Sequence, residues 1–325
     1  MKILKNIALG LIGLAVAFIG YIMYETQDEI NATPANMDSR LAEYYDAEEM
    51  AGFAVAVFNG EEVFYQNAFG FADIEKQIPY TVNTQQYVAS IAKTMIGVAL
   101  LKTQEIGLLN LNDPINQHLP FEVHHPDFPQ QPITILQLTT HTSGLAYNEQ
   151  FVESLYIADS LKDDSLLPIM NDYFTAGTYG EVSFLETAPG MTYEYSNIGA
   201  GLAALIVERV TQQSFADFTQ QQIFEPLEMN ETTWTVDTGK LQFAANYYAA
   251  TDSVTLELAT NDGVQLYPCR DLYTNVIDLT RYGQAIIRQD KKLLSNDAFQ
   301  QLLAPQLSGD ISNQLTDNQA IFFSY

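Results

Sequence analysis

The sequence predicts an α+β domain that begins with a β-hairpin and continues mostly as helices. The hairpin is indicated by Asn59-Gly60, a tight-turn pair between two apolar runs at residues 51–58 and 61–68. Most of the segments that follow Gln86 read as helices. No internal repeat, low-complexity run or mid-chain linker divides the 325 residues. Short strands followed by many helices are typical of an α+β domain.

The remaining elements are predicted from local signals such as apolar spacing, capping residues and glycine stops. A second hairpin is expected over residues 247–266, which alternate and contain the turn signal Asn261-Asp262-Gly263. Helices are expected at 40–50, from 87 to a stop at Gly107, briefly after Pro114, at 132–145 running into a glycine turn, and at 151–174, 198–210, 214–223, 278–288 and 295–303.

Composition excludes several classes of partner. The chain carries 14 Lys plus Arg against 40 Asp plus Glu, a net charge of −26. Such a surface repels nucleic acid and anionic lipid, and it suits a secreted or salt-exposed protein. The single cysteine, Cys269, cannot form an internal disulfide. Apolar residues make up 47% of the chain, which is enough for a well-packed core.

The first 25 residues resemble a membrane anchor. Lys2 and Lys5 precede an uncharged apolar run at residues 7–24. That run is long enough to span a bilayer and longer than the usual core of a signal peptide. The sequence therefore predicts an anchor at 1–25, a polar tether at 26–39 and a domain at 40–325 that lies outside the membrane, in the periplasm or extracellular space. The alternative is secretion after cleavage of a signal peptide at Ala17.

Two polar side chains, Ser90 and Lys93, lie in the first turn of a helix that is apolar almost all round. At a spacing of three they share one face, close enough for the amine to hydrogen-bond the hydroxyl. A serine becomes a good nucleophile when a neighbouring base takes its proton, and a desolvated lysine can be that base. The helix N-terminus adds backbone donors for a developing oxyanion. The alternative is a structural role, in which the serine caps the helix and the lysine is solvated.

Another candidate is His141, which precedes a glycine turn. A lone histidine in that position is more often a structural hydrogen-bonding group than a catalytic one, and we expect the structural role. His118, His124, His125 and His141 do not form the His-Glu-x-x-His spacing of a metalloprotease, and no Gly-x-Ser-x-Gly motif of an α/β-hydrolase occurs.

Taken together, several stretches resemble the serine β-lactamase and penicillin-binding-protein superfamily, in the branch of class C β-lactamases, D,D-peptidases and related esterases. Ser90-x-x-Lys93 matches its first motif, and Tyr195-Ser196-Asn197 matches its second. Flanking segments at residues 107–114, 138–145 and 226–229 also match, and the resemblance covers residues 51–303 in family order. It implies an antiparallel sheet with flanking helices and a helical subdomain.

The resemblance also implies roles for the site residues. Ser90 attacks a carbonyl, Lys93 and Tyr195 handle its proton, and Asn197 positions Lys93 or the substrate amide. The backbone amide of Ser90 supplies half of the oxyanion hole, and neither a metal nor a cofactor is needed. Which of Lys93 and Tyr195 is the base stays open at this point.

Two departures from the family pattern matter. Tyr273-Thr274-Asn275 also fits the second motif, and family context alone favours Tyr195. The third motif, a Lys/His-x-Gly strand, is missing, since residues 237–240 have the right letters in the wrong order. We therefore expect an incomplete sheet whose C-terminal strands are missing.

The resulting prediction is a membrane-anchored serine hydrolase that forms an acyl-enzyme with an amide or an ester. β-Lactams, D-amino-acid peptides and small esters all remain open as substrates. The alternative is a non-catalytic binding protein on the same fold, which the missing third motif would favour.

Overall fold

The computed structural model describes residues 34–47, 50–148, 151, 154–157, 165–177, 182–234, 239, 241, 243–252, 255–259, 263–307, 311 and 319–322. The helices are α1 (Pro34–Ala47), α2 (Ala92–Glu105), α3 (Ile135–Thr139), α4 (Leu166–Asn171), α5 (Asn197–Thr211), α6 (Phe215–Thr219), α7 (Val276–Arg288) and α8 (Asn296–Leu303). The strands are β1 (Gly52–Phe58), β2 (Val63–Asp73), β3 (Ile78–Pro79), β4 (Gln86–Tyr87), β5 (Tyr156–Ile157), β6 (Thr233–Trp234), β7 (Tyr247–Asp252), β8 (Thr255–Ala259), β9 (Gly263–Val264) and β10 (Leu272–Thr274).

The predicted N-terminal hairpin is confirmed. β1 and β2 pair antiparallel, with Gly52 opposite Gly70 at one end and Phe58 opposite Val63 at the other. The turn is held by the Asn59 side chain, whose Oδ1 accepts from the backbone amides of Glu61 and Glu62 at 2.7 and 2.8 Å. β2 also pairs with β3, so the strand order of this sheet is β1-β2-β3. Within the described residues no strand pairs with the outer edge of β1, and the expected missing strands stay a prediction.

Helices cover both faces of the hairpin. Phe53 of β1 contacts the ring of Tyr45 in α1, with ring centroids 6.5 Å apart. On the opposite face Phe58 lies so close to Gly283 of α7 that a β-carbon there would come within 2.6 Å of its ring. Because successive strand residues alternate between faces, these two phenylalanines fix α1 and α7 on opposite sides.

The predicted tether ends earlier than expected. α1 begins at Pro34, so residues 34–39 of the predicted tether are helical. Asp38, in this stretch, accepts hydrogen bonds from Tyr65 Oη at 2.6 Å and Asn67 Nδ2 at 2.7 Å, both in β2. The proline supplies the helix start, since its fixed φ suits the first turn. Docking of the carboxylate on β2 then makes this segment part of the domain.

The hydrophobic core is centred on α2 and α5, which pack against each other. α2 is buried almost all round, as predicted, but it begins at Ala92 and not at residue 87, which belongs to β4. It ends at Glu105, and Gly107 just beyond it has a φ of +77°, in the left-handed region typical of a helix C-terminus. Close packing around α5 explains its glycines. A β-carbon at Gly201 would lie 2.6 Å from Met170 and 3.1 Å from Leu266.

Two predicted helices are shorter than expected. The helix expected at residues 132–145 is α3, five residues long and capped by the reciprocal hydrogen bonds of Thr134 and Gln137. It stops because His141 adopts a φ of +57°. The helix expected at 151–174 is interrupted, because Phe151 and Ser154 are helical but Tyr156–Ile157 form β5. Pro168 explains the late start of α4, because proline is tolerated only in the first turn.

The turn of the second hairpin was placed wrongly. β7 pairs with β8, with Asp252 opposite Thr255, so the chain reverses between these residues and not at the predicted Asn261-Asp262-Gly263. Gly263–Val264 instead form β9, which pairs with the distant strand β5. Asn261 and Asp262 lie outside the described residues, as do residues 237, 238 and 240 of the rearranged third motif.

None of the helices in the described part of the chain combines the length and apolarity needed to cross a bilayer. The predicted anchor at residues 7–24 lies outside the described residues.

Candidate active site

A short irregular entry into α2 presents Ser90. β4 pairs with β10, and the Val88 amide donates to the Leu272 carbonyl at 3.0 Å. Ala89 then takes a φ of +49°, and one 3₁₀ turn, Ala89–Ile91, leads into the helix. The left-handed residue turns the chain sharply, so Ser90 is exposed while the helix behind it is buried.

Lys93 lies behind the serine and is 2% exposed. Its Nζ donates to Ser90 Oγ at 3.1 Å and to the carbonyl of Cys269 at 2.7 Å. The spacing of three residues brings the two side chains together, as expected from the helix geometry. The carbonyl of Cys269 arrives from a segment 176 residues away and anchors the amine in its apolar pocket.

Tyr195 is the third member of the cluster. Its hydroxyl donates to Ser90 Oγ at 2.7 Å, and Lys93 Nζ lies 4.9 Å from the centre of its ring. The side chain is 43% exposed, so it borders the solvent in front of the serine. Ser90 Oγ is therefore flanked by a buried amine and a more exposed phenol, the two groups that the sequence singled out.

The second motif match lies elsewhere. Tyr273 belongs to β10, is 4% exposed and pairs with Tyr87 of β4. Asn275 caps α7, because its Oδ1 accepts from the Asp278 amide at 2.9 Å. The structure thus brings Tyr195, and not Tyr273, to the serine, and it gives the second Tyr-x-Asn a structural use.

Asn197 is the first residue of α5, next to the cluster in sequence. Its carbonyl accepts from the thiol of Cys269 at 3.1 Å. Burial raises the pKa of that thiol to about 11, so it stays protonated and can donate. The hydrogen bonds of Lys93 are with Ser90 and Cys269, and among the described residues the Asn197 side chain makes no hydrogen bond. The expected contact between Asn197 and Lys93 is therefore absent from this arrangement.

Two residues that contact the cluster were not among the site residues predicted from the sequence. Cys269 contributes a backbone carbonyl, which any residue type carries, so no side-chain pattern could have identified it. His141 was expected to be structural, and it is buried with its ring 4.6 Å from that of Tyr195. Within the described residues no group of three His, Cys, Asp or Glu side chains could hold a metal ion.

The fold places the chain in a class, the proteins that share the fold of penicillin-binding proteins. The octameric penicillin-binding protein homologue from Pyrococcus abyssi shares the fold with a TM-score of 0.69 at 24% identity, over 82% of this chain and 59% of that one. EstCE1, a hydrolase with promiscuous acyltransferase activity, gives 0.68 at 18% identity, over 89% and 81%. The D-amino acid amidase from Ochrobactrum anthropi SV3 gives 0.66 at 23%, over 83% and 74%.

Within that class the chain belongs to the Beta-lactamase family, whose profile matches residues 37–323. Protein flp from Staphylococcus aureus (strain MW2) is 26% identical over 291 residues, which make up 84% of this chain and 54% of flp. The putative penicillin-binding protein PbpX from Bacillus subtilis (strain 168) is 27% identical over 281 residues, 86% of this chain and 65% of PbpX. The chain thus spans between about half and two thirds of the length of these relatives.

Proposed function

We propose that this protein is a serine hydrolase that acts on an amide or an ester through an acyl-enzyme at Ser90. The observation that carries the proposal is the position of Ser90 Oγ, exposed to solvent and within 2.7 Å of Tyr195 Oη and 3.1 Å of Lys93 Nζ. An accessible hydroxyl in contact with two proton-handling groups is the arrangement that nucleophilic catalysis requires.

In the proposed reaction Ser90 Oγ attacks the substrate carbonyl carbon and its proton passes to Tyr195 or Lys93. The tetrahedral oxyanion is met by the Ser90 amide, for which no hydrogen bond to a described residue is recorded. The carbon–leaving-group bond then breaks, and the proton returns to the departing amine or alcohol. Water, deprotonated by the same group, attacks the ester carbonyl. The bond between the acyl carbon and Ser90 Oγ then breaks, the proton returns to Oγ, and the carboxylic acid is released.

Either Tyr195 as a phenolate or Lys93 as a neutral amine could accept the proton. Both now donate to the same oxygen, so one of them has to lose a proton before attack. Tyr195 faces the solvent side, where a leaving group departs, whereas Lys93 is buried behind the serine. This placement favours Tyr195 for proton transfer to the leaving group and leaves both as candidates for the first step.

The substrate is proposed as a β-lactam, a D-amino-acid peptide or a small ester. The similar proteins support this range, because their names include a penicillin-binding protein, a D-amino acid amidase and an acyltransferring hydrolase. No residue of the described site selects among the three.

The test is covalent labelling of the whole protein with a fluorophosphonate and a panel of penicillin and p-nitrophenyl ester probes, followed by peptide mass spectrometry. We expect the label on Ser90, and Ser90→Ala should abolish both label and turnover. Ser39→Ala is the matched control, since Ser39 is an exposed serine on α1. A label on another serine would refute the proposal. Reversible penicillin binding without any label would favour the non-catalytic alternative.

We further propose that residues 7–24 anchor the protein in the membrane, with the domain outside. The uncharged apolar run behind Lys2 and Lys5 supports this. After carbonate extraction the intact protein should remain in the membrane fraction. N-terminal sequencing that begins after Ala17 would instead demonstrate a cleaved signal peptide and secretion.

A further inference from the structure

His141 connects to Tyr195 through the backbone on either side of it. The carbonyl of His141 accepts from the Glu194 amide at 2.8 Å, and its Nδ1 accepts from the Ser196 amide at 3.2 Å. The ring centroids of His141 and Tyr195 lie 4.6 Å apart. One residue therefore contacts the tyrosine and both of its chain neighbours.

Tyr195 needs such support because its own surroundings are open. Its side chain is 43% exposed, so packing on all sides cannot fix the direction of its hydroxyl. His141, in contrast, is 4% exposed and packed edge-on against Tyr193 and Phe322 at 5.8 and 5.3 Å. A buried, immobile group is thus in contact with the loop that carries an exposed one.

The backbone of His141 is shaped for these contacts. Its φ of +57° is left-handed, a conformation that residues with a β-carbon adopt rarely and at a cost. The turn at this residue follows the end of α3 and lets both the carbonyl and the ring contact the 194–196 segment. Filling the core would need only the bulk of the side chain. The hydrogen bonds from the 194–196 segment to both the carbonyl and Nδ1 of His141 indicate a further role.

We propose that His141 is a positioning residue that holds Tyr195 in line with Ser90 Oγ. This inference rests on the proposed function of Ser90 and Tyr195. His141 acts through the tyrosine and does not itself touch the serine in the contacts described. A loss of this support would lower kcat, because the tyrosine hydroxyl would leave the line of proton transfer, while substrate binding would change little.

The hydrogen bonds also show which nitrogen of the His141 ring carries the proton. Since Nδ1 accepts from the Ser196 amide, a neutral ring carries its proton on Nε2. Burial, with a smaller contribution from the charge of Lys93, lowers the pKa of His141 to about 3. The ionisable groups that face the ring are Lys93, Tyr193 and Tyr195. The ring is therefore neutral at neutral pH, and the bond to Ser196 is kept.

Two substitutions separate the acceptor from the ring. His141→Asn places an amide oxygen close to the position of Nδ1 and tolerates a left-handed φ, whereas His141→Phe keeps an aromatic ring and removes the acceptor. Each is made in the whole protein and again in a Tyr195→Phe background. The measurements are kcat and KM with a p-nitrophenyl ester, the rate of Ser90 labelling, and the thermal midpoint.

We expect His141→Phe to lower kcat by about 10- to 100-fold, the scale of a slightly misplaced catalytic group, with KM within about twofold. His141→Asn should recover most of the loss. In the Tyr195→Phe background neither change should alter kcat further by more than about twofold, because the two residues act as one unit. Equal losses in both variants, or a full loss that persists without the tyrosine hydroxyl, would overturn the proposal.

The unchanged protein offers a second test, which does not depend on whether the variants fold. The ¹⁵N chemical shifts of His141 at pH 7 should report a neutral ring protonated on Nε2, and the opposite tautomer or a charged ring would overturn it. Failure of the proposed function looks different, since Ser90 would then remain unlabelled in the unchanged protein while the ring showed the same tautomer.

Discussion

Ser90, Lys93 and Tyr195 differ in exposure, and that difference organises the chemistry of the site. Ser90 is exposed, Tyr195 is partly exposed and Lys93 is buried. A buried amine keeps a fixed position and a constant environment, while the exposed oxygen remains open to a substrate carbonyl. The phenol bridges the two regions, since its hydroxyl bonds the serine and its ring lies beneath the amine.

The two Tyr-x-Asn motifs give a matched pair of substitutions at the residue scale. Tyr195→Phe should lower kcat by about 10²–10⁴, the usual scale of general acid–base catalysis, because it removes the hydroxyl that bonds Ser90. Tyr273→Phe should leave kcat unchanged. It should lower the unfolding free energy by about 1 kcal/mol, because it removes the hydroxyl of a tyrosine that is buried in β10. Steady-state kinetics and denaturant melts measure both, and equal kinetic losses would contradict the assignment of Tyr195.

Ala89 is the strained residue next to the serine, with a φ of +49°. Ala89→Gly should keep kcat and change the unfolding free energy by less than about 1 kcal/mol, because relief of left-handed strain offsets the greater freedom of the unfolded glycine. Ala216→Gly, at a right-handed position in α6, should instead lose about 1 kcal/mol. Urea melts decide the matter, and a larger loss at Ala89 than at Ala216 would mean that the left-handed conformation carries no strain.

At the scale of elements, the starts of α5 and α7 show how one sequence pattern serves two purposes. Asn275 caps α7 with its own side chain, whereas α5 is capped by Ser196, whose Oγ accepts from the Gly199 amide at 3.0 Å. Asn197 is thereby released from capping, although it occupies the equivalent place in the motif. Asn275 therefore caps its helix, whereas Asn197 is the first residue inside its helix and is proposed to position the substrate amide.

Substitution of the two asparagines should therefore have opposite consequences. Asn275→Ala should lower the unfolding free energy by about 0.5–2 kcal/mol, the usual loss of an N-cap, and leave the rate of Ser90 labelling unchanged. Asn197→Ala should slow labelling and leave stability within about 0.5 kcal/mol. Asn275→Asp is the control, because aspartate also caps helices. If Asn275→Ala impaired labelling as strongly as Asn197→Ala at unchanged fold, the distinction would fail.

At the scale of the whole molecule, acid should destabilise the fold through one buried group before the carboxylates protonate. His141 has a pKa of about 3 when folded and about 6.5 when unfolded, so below pH 6.5 the unfolded state binds the extra proton. Stability attributable to this ring is complete above pH 6.5 and falls by up to about 1.4 kcal/mol per pH unit below it. The pKa of Asp113 is lowered by a backbone hydrogen bond from Asn110, so its contribution is lost only at still lower pH, below about 4.

The measurement is the unfolding free energy from urea melts between pH 4 and 7. The net charge of −26 shrinks over the same range and lessens self-repulsion, so the comparison with His141→Asn isolates the ring. The difference in slope between the two proteins should be confined to this window. Parallel curves for the two proteins would show that the ring does not remain neutral in the folded state.

Local features of the fold could be predicted from the sequence because they depend on neighbours in the chain. The hairpin follows from Asn59-Gly60, where the Asn59 side chain accepts from the amides of Glu61 and Glu62. The contact between Ser90 and Lys93 follows from a helical spacing of three. Predictions failed where a local pattern indicated one structure and pairing with a distant segment produced another. Residues 156–157 were predicted to be helical and Gly263 to lie in a turn, but they form the strand pair β5 and β9.

The sequence by itself thus determined the α+β class, the hairpin, the buried helix α2 and the pairing of Ser90 with Lys93. Family context favoured Tyr195 over Tyr273, but only the tertiary structure shows that Tyr195 reaches the serine, since it is 105 residues away in the chain. The tertiary structure also decided that the carbonyl of Cys269 holds Lys93 and that His141 bonds the segment around Tyr195. The physical reason is that these contacts join groups that are remote in the chain. In two of them one partner is a backbone group, which every residue carries, so no side-chain pattern marks them before the core has packed.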